Sequence, residues 1–114
     1  MIKKILLAIG LISTPAMADH ALTAGTFAAG NAAVSRGDYA EAAKHWRVCA
    51  DEGDMGCQEL LGILYEGGFG VDQDYTEAAK WYRLSAEQGN PIAQLNLGSM
   101  YFKGKGVAQD YTRL

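Results

Sequence analysis

The strongest constraint on this chain is that it says the same thing twice. Residues 37–78 laid over 73–114 without a gap agree at 20 of 42 positions, a period of 36 residues. The phrase "GVDQDYTEAAKWY" from Gly70 returns as "GVAQDYTRL" from Gly106. A fixed period of this size belongs to solenoids, in which each unit is one supersecondary element that cannot bury its apolar side alone and stacks on its neighbours.

Local signals divide each unit into two helices. Asp38 and Asp74 stand at N-cap positions, and Glu41 and Glu77 follow three residues on, so each pair reads as a capping box whose acid reaches back to the cap N–H. The next residues carry Ala42, Ala43, Trp46, Ala50 and Ala78, Ala79, Tyr82, Ala86 at three-to-four spacing, one stripe of small and aromatic residues per helix. Gly53 and Gly89 end these helices, and Asp54 and Asn90 cap the next ones, with Pro91 suited to the first helical position. There Gln58, Leu61, Gly62 and Tyr65 recur as Gln94, Leu97, Gly98 and Tyr101. A helical glycine costs about 1 kcal/mol relative to alanine, so its recurrence predicts two helix backbones crossing closely. Val71 and Val107 are expected to tuck the returning loops onto the core.

Residues 1–18 read as a secretory leader. Lys3 and Lys4 precede an apolar run from Ile5 to Ile12, and Ala16-Met17-Ala18 has the small-x-small pattern of a cleavage site. The run is shorter than the roughly 18 apolar residues of a membrane span, so no membrane insertion is expected once the leader is cut. Removing its two lysines leaves eight basic against thirteen acidic residues, a charge of about −5. That excludes nucleic acid and anionic membrane surfaces as partners, since both need a basic patch. Residues 19–37 form an N-terminal helix that completes the first pair, although Gly25 and Gly30 weaken it, and residues 38–114 hold about two repeat units, the last incomplete. Cys49 and Cys57 are the only cysteines, and an even pair in an exported chain reads as a disulfide.

The stretches "CQELLGILYEGGFGVDQDYTEAAKWYRLSAEQG" and "AQLNLGSMYFKGKGVAQDYT" resemble the Sel-one-like repeat (SLR) family, relatives of the tetratricopeptide repeats. The resemblance implies an all-α fold, an α/α superhelix of antiparallel helix pairs stacked into a right-handed solenoid, working as a protein-binding scaffold and often exported by bacteria. Cys57 stands where that family usually has alanine, and its cysteine-rich secreted members share the C-x7-C spacing. A bridge there closes a loop of about nine residues, worth roughly 2–3 kcal/mol in the chain-entropy model. The second unit has Ser85 and Ala93 instead and is expected to hold by packing alone. Asp110, Tyr111 and Thr112 begin a third copy that stops at Leu114, which reads either as truncation of a longer parent or as a tail docked on Tyr101 beside an open groove.

No catalytic constellation accompanies the repeats. His45 takes the place of Trp81 in the next unit and reads as a packing or surface residue, and His20 falls beside the expected new N-terminus. Some cysteine-rich relatives are described as β-lactamase-like, but the lysine that such chemistry places three residues after a serine is missing: Asp38, Gln88 and Phe102 follow Ser35, Ser85 and Ser99. Seven residues between the cysteines favour a structural bridge over a redox pair. No metal, cofactor or enzymatic role is expected.

The partner surface is expected on the second helix of each unit, at Glu59, Ile63 and Glu66 and their counterparts Leu95, Ser99 and Phe102, joined by Lys103. The resemblance places these along a peptide groove, and Ile63, Leu95 and Phe102 are apolar on a face otherwise solvated; the competing arrangement has neighbouring helices covering them. The sequence thus describes an exported scaffold, periplasmic or secreted from a Gram-negative-type envelope, that binds another exported protein or peptide. A β-lactamase-like or cell-wall hydrolase, and a nonfunctional truncated copy, are the alternatives.

Overall fold

The structure, a computed structural model, describes residues 15–113, with side chains from residue 24 onward. The leader assigned to residues 1–18 therefore lies outside the described residues apart from its last four positions, which open the first helix. Five helices follow one another: α1 (Pro15–Ser35), α2 (Tyr39–Asp51), α3 (Met55–Gly67), α4 (Tyr75–Glu87) and α5 (Pro91–Lys103), then a 3-10 turn at Tyr111–Arg113. Each helix packs on the next in chain order, giving the expected all-α solenoid, with α2/α3 and α4/α5 as the repeated pairs.

The helix boundaries follow the caps. Asp38, Asp54 and Asp74 each accept from the backbone N–H three residues on, at 3.1, 2.8 and 3.0 Å, and Asn90 accepts from Ile92 and Ala93. The capping boxes are only half formed. The N–H groups of Asp38 and Asp74 donate instead to the carbonyls of Ala33 and Tyr65. Freed from the cap, Glu41 lies 3.2 Å from His45 Nε2 and Glu77 lies 3.6 Å from Lys80. A carbonyl near the end of the preceding helix supplies, through a local turn, what the side chain was expected to supply. At the other ends Gly53 and Gly89 take φ of 97° and 94°, the left-handed region where only glycine is unstrained.

The core forms along the Ala-Ala-aromatic stripes. Ala42, Ala43, Trp46 and Ala50 meet Leu61 and Leu64 in the first unit, and Ala78, Ala79 and Tyr82 meet Ala93 and Met100 in the second. Val71 packs on the first cluster and Val107 on the second, as expected of the returning loops. These loops are near copies of each other: Asp74 N–H donates to Tyr65 O at 2.9 Å and Asp110 N–H to Tyr101 O at 2.8 Å, while Gln73 and Gln109 Nε2 bond the carbonyls of Glu66 and Phe102.

Cys49 and Cys57 are joined in a disulfide that bridges α2 and α3, and both are fully buried. The second unit replaces it with more than packing. Ser85, in the place of Cys49, donates to Met55 O at 2.7 Å and accepts from Asn90 Nδ2 at 2.8 Å. A hydroxyl relay thus ties α4 both to its own partner helix and to the unit before it.

Candidate protein-docking surface

The surface that could receive a partner is built by the way each second helix meets the first helix that follows it. At α3 that meeting is complete. The ring of Tyr82 lies over Gly62, where an added Cβ would stand 2.6 Å from Cε1. The recurrent glycine therefore makes room for a side chain, not for a crossing backbone. Tyr82 is fully buried, and its hydroxyl donates to Glu66 Oε1 at 3.0 Å. Burial first, then the neighbouring Glu66 carboxylate, hold that hydroxyl well above the ordinary tyrosine range. Polar contacts fasten the same junction: Gln88 Nε2 donates to Gly53 O at 2.9 Å and to Gln58 Oε1 at 2.8 Å, and Asn90 Nδ2 donates to Glu59 Oε2 at 2.7 Å.

The junction of α1 with α2 uses the same device. An added Cβ on Gly30 would overlap the indole of Trp46, and that indole N–H reaches Phe27 O at 3.2 Å. Trp46 lies one period before Tyr82. α1 therefore behaves as the second helix of a preceding pair, with Gly30 as the very residue that admits its neighbour.

The residues expected to bind a partner fall into two groups. Glu59, Ile63 and Glu66 lie against the following pair: Glu59 and Glu66 are bonded to Asn90 and Tyr82 as above, and Ile63 packs on the second core. Leu95, Ser99 and Phe102, one period later, line a groove of about 330 Å³ together with Gln94 and Gly98. Leu95 is 73% exposed and Phe102 47%. Lys103 lies beside a second, polar cavity with Glu66, Asn96, Ser99 and Lys105, so Ser99 sits on the wall between the two. Gln94 and Gly98 were not among the expected residues, although their period from Gln58 and Gly62 was the available signal.

The segment after α5 forms one edge of this surface. Tyr111 meets Phe102 edge to face with ring centroids 5.2 Å apart, and the Arg113 guanidinium lies 4.9 Å above the ring of Tyr101. Thr112 donates to Asp110 through both its hydroxyl, at 2.6 Å, and its N–H, at 2.9 Å. Those bonds hold the Asp110 carboxyl below its usual range. Of the histidines, His45 is occupied by Glu41. Among the described residues no cluster of three or more His, Cys, Asp or Glu could hold a metal ion, and no helix is long and apolar enough to cross a membrane.

Stacked helical hairpins, duplicated caps and a ring-on-glycine junction define a helical-repeat protein. The Sel1 repeat family matches residues 57–90 and 91–113, and the chain belongs to it. A protective antigen present in uropathogenic Escherichia coli strains, displaying an SLR fold, is similar in structure with a TM-score of 0.77 and 35% identity over 80% of this chain. A Sel1 repeat protein from Oxalobacter formigenes gives a TM-score of 0.70 and 32% identity over 77%. The match covers 20% of the antigen and 35% of the Oxalobacter protein, so this chain corresponds to a fraction of each. No curated protein matches the chain. Proteins built of Sel1 repeats generally serve as scaffolds for protein interaction.

Proposed function

We propose that this chain is an exported scaffold, carried across the inner membrane by the leader in residues 1–18 and working in the periplasm or outside the cell as an adaptor for another exported protein or peptide. The observation that carries this reading is the groove on α5, where Leu95 and Phe102 present apolar side chains to solvent on an otherwise fixed helical stack. An exposed apolar patch bordered by polar groups is what a protein-binding surface requires. Ser99 and Lys103 supply such polar groups at its border, while Glu59, Ile63 and Glu66, one period earlier on α3, hold the pair that carries it. The Cys49–Cys57 bridge fits an oxidising compartment.

The compartment and the surface are tested together. The full chain is expressed in a Gram-negative host with a photo-crosslinking residue at Ser99 or, as control, at Lys44 on α2. The expected result is a chain in the periplasmic or secreted fraction with a mass beginning at Asp19, forming a discrete protein adduct from Ser99 and none from Lys44. A chain retained in the cytoplasm, or equal adducts from both positions, removes the reading.

A further inference from the structure

A recess bounded by Tyr39, Leu60, Ile63, Leu64 and Phe69 in the first unit returns 36 residues later, bounded by Tyr75, Asn96, Ser99, Met100 and Lys105. The two copies of the repeat agree at 20 of 42 aligned positions, yet of these five pairs only the tyrosine is shared. The first recess, of about 220 Å³, is walled by aliphatic and aromatic side chains. The second, of about 300 Å³, adds Glu66 and Lys103 to its polar walls. Where Phe69 packs on Tyr39 with ring centroids 5.6 Å apart, Lys105 holds its Nζ 5.0 Å from the centroid of the Tyr75 ring. Stacking does not close this place in the fold, because the first recess stays open although α4 packs on α3.

The charges gathered in the second recess are incompletely matched. Among the described residues neither Lys103 nor Lys105 stands in an ion pair, and Glu66 accepts from Tyr82 through Oε1 alone. Two cations and one carboxylate therefore face one cavity, with the Asn96 amide and the Ser99 hydroxyl beside them. We infer that this recess binds a free acidic amino acid, aspartate or glutamate, whose two carboxylates meet Lys103 and Lys105 and whose ammonium meets Glu66. Such a ligand carries the inverse of the charge set on the walls. A neutral amino acid leaves one lysine unmatched, and a simple dicarboxylate sets like charge against Glu66. The inference concerns a small ligand and is independent of the adaptor reading.

The test titrates L-glutamate and L-aspartate, with L-glutamine and glutarate for comparison, into the full oxidised chain at low salt, read by calorimetry and by the amide shifts of Asn96, Lys103 and Lys105. Saturable binding of an acidic amino acid is expected, about tenfold tighter than that of glutamine, the factor that one charge-assisted hydrogen bond supplies, and weakened by added salt. Lys105→Phe installs the residue that the first unit carries at this position, so the fold is kept while affinity falls about tenfold or more. Glu66→Gln retains an oxygen for the Tyr82 hydroxyl; it should weaken glutamate and strengthen glutarate, a crossing that a damaged fold would not produce. No saturable binding, glutamine bound as tightly as glutamate, affinity unchanged in Lys105→Phe, or parallel loss of glutamate and glutarate in Glu66→Gln overturns the proposal. Protein adducts from Ser99 alongside a silent titration would remove this inference and leave the adaptor reading standing.

Discussion

Gly62 and Gly25 are both helical glycines, yet the fold uses them in opposite ways. At Gly62 a methyl group would press on the Tyr82 ring, while at Gly25 it meets nothing within 4 Å. Alanine gains about 1 kcal/mol of helix propensity at either place, but overpacking costs about 1–3 kcal/mol. Gly62→Ala should therefore lower stability in urea by about 1 kcal/mol net, and Gly25→Ala should raise it or leave it unchanged; the reverse order would refute the ring-on-glycine junction. Tyr82 adds a pH signature. Its folded hydroxyl titrates above the ordinary tyrosine value of about 10, so the unfolded chain releases that proton first. The stability it contributes is complete below about pH 10 and declines as pH rises past that point. Urea midpoints measured on the alkaline side should fall more steeply for the wild type than for Tyr82→Phe, and parallel curves would contradict this. Gly70 is tighter still: its φ is 72°, and a Cβ there would run into the backbone of Tyr39 and Ala40.

At the scale of the helix, the caps divide into those that serve one element and those that serve the stack. Asp54 bonds the N–H of Cys57 at its own helix start. Asn90 does the same for α5, and its amide also reaches Glu59 and Ser85 while the residue is only 6% exposed. Asp54→Ala should cost about 1 kcal/mol, and Asn90→Ala about 2–3 kcal/mol because it also leaves buried partners unpaired. Equal losses in chemical denaturation would mean that the Asn90 relay is idle. The elements themselves were legible in the sequence, because caps, glycine stops and the three-to-four stripe are local signals. The faces were not. Ile63 and Ser99, or Glu66 and Phe102, occupy the same register, and only the presence of α4 over the first of each pair separates a packed position from a groove. Pattern within one helix cannot report which of its two neighbours is there. The half-made capping boxes show a second limit, since the carbonyls of Ala33 and Tyr65, near the end of the helix just before, take the cap N–H groups that the capping pattern alone assigns to Glu41 and Glu77.

Across the whole molecule, stability passes from unit to unit through shared surfaces. Trp81 belongs to α4 but is buried with the first core, beside Arg47 at 5.4 Å. The disulfide constrains a short loop worth about 2.5 kcal/mol in the chain-entropy model. Its loss should therefore be felt beyond α2 and α3. Reduction should shift the unfolding midpoint reported by Trp46 alone and by Trp81 alone by the same amount, measured in single-tryptophan variants made with phenylalanine. A shift confined to the Trp46 signal would show two independent units. Replacing Cys49→Ser and Cys57→Ala, the pair that the second unit already uses, tests whether a hydroxyl at position 49 restores part of the loss.

The two returning loops, with matching bonds from Asp74 to Tyr65 and from Asp110 to Tyr101, carry a consequence for how such molecules change length. Because both loops fasten the chain to the tyrosine of the preceding helix through the same bond, inserting or deleting 36 residues between them leaves that contact in place. Copy number can drift through gene duplication while the terminal contact is inherited intact.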